Sequence, residues 1–155
     1  VYGVENSDER MFFGANYIVV PTAKNTENGI ECCKRIAEIL GFGRIVELSP
    51  KEHDDLIGFV SQLTHCIAVS LMTCYENENL ERYTADSFRD LTRIANINET
   101  LWSELFFLNR DSLLRQMELF DAHFHKLYES LKTGDRDTMI EMMKESTERR
   151  KLFNK

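Results

Sequence analysis

Ser49-Pro50-Lys51-Glu52 is the stretch that decides the fold. A serine at the cap, a proline at the first helical position and a glutamate three residues after the serine form a complete capping box, a strong helix-start signal. The helix it opens is predicted to run to about Asn77, burying Leu56, Val60, Leu63, Ile67 and Leu71 on one side. Beyond it the pattern stays helical. A polar gap from Asn77 to Asn79 precedes a shorter segment ending near Ala95, and Asn98 is placed to cap a helix carrying Leu101, Leu105 and Leu108. Leu113, Met117, Phe120, Phe124, Leu127 and Leu131 then form a long apolar stripe. Gly134-Asp135 supplies a stop and a new cap before a last helix with Met139, Ile140 and Met143. Residues 50–155 therefore read as an all-helical bundle.

Upstream of Ser49 the character changes. Tyr17-Ile18-Val19-Val20 is a short β-rich run stopped by Pro21. A helix follows from about Glu27 to Leu40, with Ile30, Cys33, Ile36, Ala37 and Leu40 at helical spacing and Gly41 placed to close it. Arg44 to Leu48 reads as a second strand. These elements make a β–α–β unit, the end of an α/β domain but too little to form one alone. Gly41-Phe42-Gly43 is not a dinucleotide fingerprint, because that motif needs a strand before its glycines and a helix after them. The expected division is 1–49 and 50–155, mainly α overall.

Composition narrows the function classes. The 155 residues carry 19 Lys+Arg against 26 Asp+Glu, a net charge of −7, which argues against a nucleic-acid partner. Hydrophobic residues make up 43% and charged residues 29%, the mix of a globular protein rather than a disordered one. The most apolar stretch, Cys66 to Met72, falls short of the ~20 residues of a membrane span, so no membrane partner is expected. No leader pattern opens the chain, and the expected compartment is the cytoplasm. The chain starts at Val1, without Met, which raises the expectation of a fragment. Cys32, Cys33, Cys66 and Cys74 lack metal or redox spacing, and Cys66 and Cys74 are expected to be buried small hydrophobes. Phe59 beside Val60, Phe106-Phe107 beside Leu105 and Leu119 beside Phe120 put apolar residues on more than one helix side. That surplus predicts a covering partner, a homodimer by preference.

Few residues are arranged for chemistry. His53 and His65 are about 18 Å apart along one helix and His123 and His125 point to different sides, so no metal site is expected. Ser61 and His65 are i, i+4; they make either a local hydroxyl–imidazole pair or an imidazole offered to a polar ligand. Arg89 and Arg93 are also i, i+4, with Asp90 three residues before Arg93 and able to hold its guanidinium. Such a planar bidentate donor suits a carboxylate; the alternative is a solvated charged face. Trp102 is core or ligand wall. There is no nucleophile elbow and no cysteine in a nucleophile context.

Taken in order, these pieces resemble the C-terminal part of the prephenate dehydrogenase family. His53-Asp54 and Ser61-Gln62-Leu63-Thr64-His65 match the spacing of the family's His-Asp and Ser-His-Leu-Pro-His helix. Phe88-Arg89-Asp90-Leu91-Thr92-Arg93-Ile94-Ala95 is the most specific match, followed by Trp102 and Asn109 at the expected distances. Phe13 to Pro21 resembles the last part of the family's nucleotide-binding domain. Gln62 and Thr64 stand where the pattern often has His and Pro. The glycine-rich NAD loop and the His-Pro-Met segment with the family's catalytic histidine do not occur in these 155 residues.

The resemblance implies a helical dimerisation domain preceded by the β–α–β remnant of a Rossmann domain. It implies oxidative decarboxylation of prephenate to 4-hydroxyphenylpyruvate, in tyrosine biosynthesis, with NAD held mainly by an absent N-terminal domain. By the same resemblance Arg93 binds a substrate carboxylate, Asp90 orients it by an ion pair, His65 lines the pocket, Trp102 forms a wall and Ser61 assists. No catalytic residue and no assigned NAD contact falls within the chain, which is expected to be inactive alone. The alternatives are arogenate dehydrogenase and a non-catalytic helical interaction domain.

Overall fold

The computed structural model describes residues 4–8 and 10–154; Val1 and Lys155, the ends of the two expected segments, lie outside them. By internal packing the chain divides into two compact units, Val1–Val60 and Ser61–Lys155.

The first unit holds β1 (Asn16–Val19), α1 (Glu27–Ile39) and β2 (Arg44–Glu47). The two strands pair in parallel, Asn16 opposite Arg44 through Val19 opposite Glu47, as a β–α–β unit requires. Thr26 caps α1 by accepting from the Gly29 amide, and α1 buries Ala37 completely. Lys34 reaches from α1 to Glu47 on β2 at 2.7 Å. The glycines of Gly41-Phe42-Gly43 are structural. Gly41 has φ +78°, and a Cβ there would lie 2.3 Å from the Phe13 ring; a Cβ on Gly43 would lie 2.8 Å from the Gly14 Cα. Phe42 stacks on Phe12 and meets the edge of Tyr17, with ring centroids 5.0 and 4.9 Å apart.

The helical run after Ser49 starts as the capping box requires. Ser49 accepts from the Glu52 amide while the Glu52 carboxylate accepts from the Ser49 amide at 2.8 Å. The run comprises α2 (Pro50–Ile57), a π-helical turn (Gly58–Leu63) and α3 (Thr64–Thr73), so it stops short of Asn77. Asn77 instead takes the Asn79 amide on its side chain, a local bond that competes with helix. The π turn carries extra residues and changes the phase of the apolar stripe. Leu63 is buried, but Leu56 and Val60 are 41% and 53% exposed, contrary to a single buried face. Pro50–Thr73 spans 24 residues and holds a window of mean hydropathy 1.5, long and apolar enough to cross a bilayer. That corrects the short stretch read from the sequence, because the Leu, Ile, Val and Phe residues on both sides of Ser61–His65 outweigh its polar side chains in a window average.

In the second unit α4 (Asp86–Thr92) continues into a 3-10 turn, Arg93–Ala95, and both pack against α3. Asn98 caps α5 (Glu99–Leu108) through the Leu101 amide, and α6 (Arg110–Thr133) follows almost without interruption. Gly134, with φ +73°, closes α6, and Asp135 caps α7 (Arg136–Lys151) through the Thr138 amide at 3.1 Å. Neighbours in sequence pack together, α5 on α6 and α6 on α7.

The core of this unit is thin for its apolar content. Leu63, Ala68 and Leu113 are its buried hydrophobic residues among those described. Beyond Leu113 most of the expected core stripe of α6 is exposed, Leu127 alone being half-buried among its described members: Phe124 is 61% exposed and Leu131 72%, while Phe107 and Leu108 of α5 are 76% and 83% exposed. Cys74, expected to be buried, is exposed because the helix has ended before it.

Candidate functional site

The junction of the π turn with α3 is where polar side chains gather. His65, the second residue of α3, directs Nδ1 to the Ser61 carbonyl oxygen at 2.8 Å. A carbonyl only accepts, so Nδ1 carries the proton and the lone pair of a neutral ring sits on Nε2. The local partner is therefore the Ser61 backbone and not its hydroxyl, a correction to the expected pair. Thr64 Oγ1 donates to the same carbonyl at 2.6 Å. The imidazole then stacks on Trp102 of α5, centroid to centroid 3.7 Å with the planes 28° apart. Phe106, one turn along α5, backs the indole at 5.7 Å.

Gln62 was not singled out as a site residue by sequence reasoning, yet it is one of three buried polar residues among those described, 5% exposed. Its Nε2 donates to the Leu105 carbonyl at 3.1 Å, and its Oε1 accepts from Asn109 Nδ2 at 2.8 Å. A buried amide satisfied at both ends is costly to disturb. Asn109 stands at the junction of α5 and α6, so nothing local in the sequence joins it to Gln62.

The arginine segment is arranged differently. Arg89 is spent locally: it donates to the Thr84 carbonyl at 3.2 Å and lies 4.0 Å from Asp86. Arg93 is exposed and makes no hydrogen bond or ion pair among the described residues. Asp90 is exposed too and does not pair with Arg93, contrary to the expected clamp. α4 ends at Thr92, whose φ of −101° and ψ of −4° depart from α-helical values, so the i, i+3 register that would place Asp90 beside Arg93 is not kept.

Ser61, His65 and Trp102 are thus brought together, and the turn bearing Arg93 packs on the helix bearing His65. An open groove of about 570 Å³ is lined by residues including Tyr75, Leu80, Phe88 and Arg89; Ser61, His65, Asp90, Arg93 and Trp102 are not among them. Burial pushes the Cys66 thiol above its ordinary range, which disfavours the thiolate.

Residues 49–145 match the family described as prephenate dehydrogenase, dimerization domain. The chain belongs to this prephenate dehydrogenase family. It is 29% identical over 147 residues to the prephenate dehydrogenase of Bacillus subtilis strain 168, covering 92% of the chain and 39% of that protein. It is 32% identical over 139 residues to the cyclohexadienyl dehydrogenase of Zymomonas mobilis, covering 86% of the chain and 47% of that protein. Among solved structures, prephenate dehydrogenase from A. aeolicus in complex with hydroxyphenyl propionate and NAD+ superimposes with a TM-score of 0.87 at 28% identity, over 97% of this chain and 54% of that one. The chain therefore spans two fifths to about half the length of the dehydrogenases it matches.

The β–α–β unit does not fit the pyrophosphate of a dinucleotide. That group needs glycines between a strand and the helix that follows it, so that backbone can approach closely. The connection from β1 to α1, residues 20–26, contains Pro21 and Thr22 and no glycine.

Proposed function

We propose that this chain is the substrate-binding and dimerising part of a prephenate dehydrogenase, which carries out the oxidative decarboxylation of prephenate to 4-hydroxyphenylpyruvate. NAD, the acceptor in that reaction, would be held mainly by residues outside these 155. The observation that carries the reading is the His65–Trp102 stack, oriented by the Ser61 carbonyl and adjoined by the turn that bears an uncommitted Arg93.

Each residue has a physical task. Arg93 offers a planar fork to one carboxylate of a dicarboxylate, and an arginine without a partner loses none when it binds. Trp102 supplies a flat apolar wall for a ring. His65 presents Nε2, which accepts from a ligand hydroxyl when neutral and donates to a carboxylate only when the ring is doubly protonated. Asp90 makes no ion pair with Arg93 among the described residues, so the clamp first expected has no part in this reading. None of these groups has the setting of a catalytic base, so the chain alone binds substrate without turning it over.

The exposed apolar faces of α5 and α6 support a homodimer, since such patches on a lone chain are an interface or a liability. Sedimentation of the 155-residue chain should show a dimer, and Phe124→Asp should shift it toward monomer by tenfold or so. A longer protein that joins this chain to its nucleotide-binding half should turn over prephenate with NAD, while the chain alone should not. Turnover by the isolated chain, or faster turnover of arogenate by the longer protein, would overturn the assignment as stated.

A further inference from the structure

We infer that Gln62 is a positioning residue: its buried amide holds the π turn against α5 and so keeps His65 stacked on Trp102. The functional meaning of that role rests on the proposed ligand site, but the role itself is a matter of geometry. Two crosslinks tie the same two helical stretches together. One is Gln62 to Leu105 and Asn109; the other is His65 to Trp102. Gln62 precedes His65 by three residues and Trp102 precedes Leu105 by three, so the links sit one turn apart on both partners.

The amide has only one workable orientation. The Leu105 oxygen is an obligate acceptor that also receives the Asn109 backbone amide at 3.2 Å, so Gln62 must turn Nε2 toward it. That leaves Oε1 facing Asn109 Nδ2. A π turn is a rare interruption of an α-helix, and here side-chain bonds to residues outside the turn hold it. An apolar residue at position 62 would take one of two donors from the Leu105 carbonyl and one acceptor from the Asn109 side chain together. The π turn would then lose its fixed distance from α5, and the ring stacked three residues later would lose its register. Sub-ångström placement of binding groups depends on such supporting bonds.

Trp102 is the single tryptophan of the chain, so its optical signals report this stack without labelling. In Gln62→Met, with helical far-ultraviolet signal retained, acrylamide quenching of Trp102 emission should rise about twofold and its near-ultraviolet dichroism should collapse, because the buried network is broken. Asn109→Asp puts a carboxylate against Gln62 Oε1 and should move both signals the same way by less. Leu113→Ala, which empties part of the core, should lower stability and leave both signals unchanged. Hydroxyphenyl propionate should bind Gln62→Met about tenfold more weakly than the parent chain, the cost of misplaced groups. Parent-like quenching in Gln62→Met, or in Asn109→Asp should Gln62→Met fail to fold, overturns the inference. If the parent chain does not bind hydroxyphenyl propionate, the ligand-site reading fails while the optical comparison still decides the role of Gln62.

Discussion

Ser61–His65 runs from the π turn into α3, and Arg89–Arg93 runs from α4 into the 3-10 turn, both of which pack on α3; the two stretches treat their polar groups in opposite ways. In the first stretch Gln62, Thr64 and His65 each spend a side-chain bond on the chain's own backbone, and Gln62 and His65 also reach across to α5. In the second, Arg89 is tied locally, while Asp90 and Arg93 point into solvent with no partner among the described residues. A group satisfied within the chain holds shape, and breaking its bond costs the fold. A charge left without a partner has no structural employment, and an added ligand takes nothing from it. The two stretches therefore divide the work of a binding site into frame and grip.

The sharpest way to break this contrast is to remove one arginine at a time. Arg93→Ala should weaken binding of hydroxyphenyl propionate by roughly ten- to 150-fold, equivalent to losing about 1.5–3 kcal/mol of charge-assisted hydrogen bonding. Arg89→Ala should change it by less than about threefold, since an exposed, locally paired charge contributes little. Neither variant should alter the melting temperature appreciably. In the longer protein NAD affinity should stay near its parent value in both. Equal losses from the two arginines, read by calorimetric titration, would remove the distinction between grip and solvated face.

What the sequence disclosed, and what it hid, follows the range of the interactions. The caps at Thr26, Ser49, Asn98 and Asp135 and the closing Gly134 depend on groups three or four residues apart, and four of these five are legible by eye. The parallel pairing of β1 and β2 follows from β–α–β connectivity. The π turn is hidden, because its hydrogen-bond pattern leaves no trace in a 3.6-residue period, and so the exposure of Leu56 and Val60 is hidden with it. Gln62 bonds to a carbonyl 43 residues away, a contact no local pattern encodes. The Asp90–Arg93 clamp failed for a local reason: spacing implies i, i+3 contact only while the helix lasts, and it stops at Thr92.

A smaller effect is expected from the frame. His65→Phe keeps a ring on Trp102 but removes both ring nitrogens. The Ser61 carbonyl is not orphaned by the change, because Thr64 Oγ1 still donates to it at 2.6 Å. Stability should therefore hold within about 0.5 kcal/mol, as for substitutions that strand no buried polar group. Hydroxyphenyl propionate should bind about fivefold more weakly through loss of one ordinary hydrogen bond at Nε2. Unchanged affinity would place His65 wholly in the frame.

The smallest effect tests whether local pairing alone shows up in solution. Hydrogen bonds from the Ser49 hydroxyl and amide hold the Glu52 carboxyl below its ordinary range, and Thr138 does the same for Asp135. A depressed carboxylate contributes stability that is fully present above its unfolded pKa, about 4.3 for glutamate, and that is lost as pH falls through the lower folded value. Glu52→Gln keeps a side-chain acceptor for the Ser49 amide but cannot titrate. The parent chain should lose melting temperature between about pH 5 and about pH 2, and the Glu52→Gln chain should lose slightly less. Combining it with Asp135→Asn should flatten the curve further. Both carboxylates are fully exposed to solvent, so the change should shrink in added salt. An identical acid limb in parent and double variant would mean that these caps order the helix ends without stabilising the fold, and that the frame is held by its buried contacts alone.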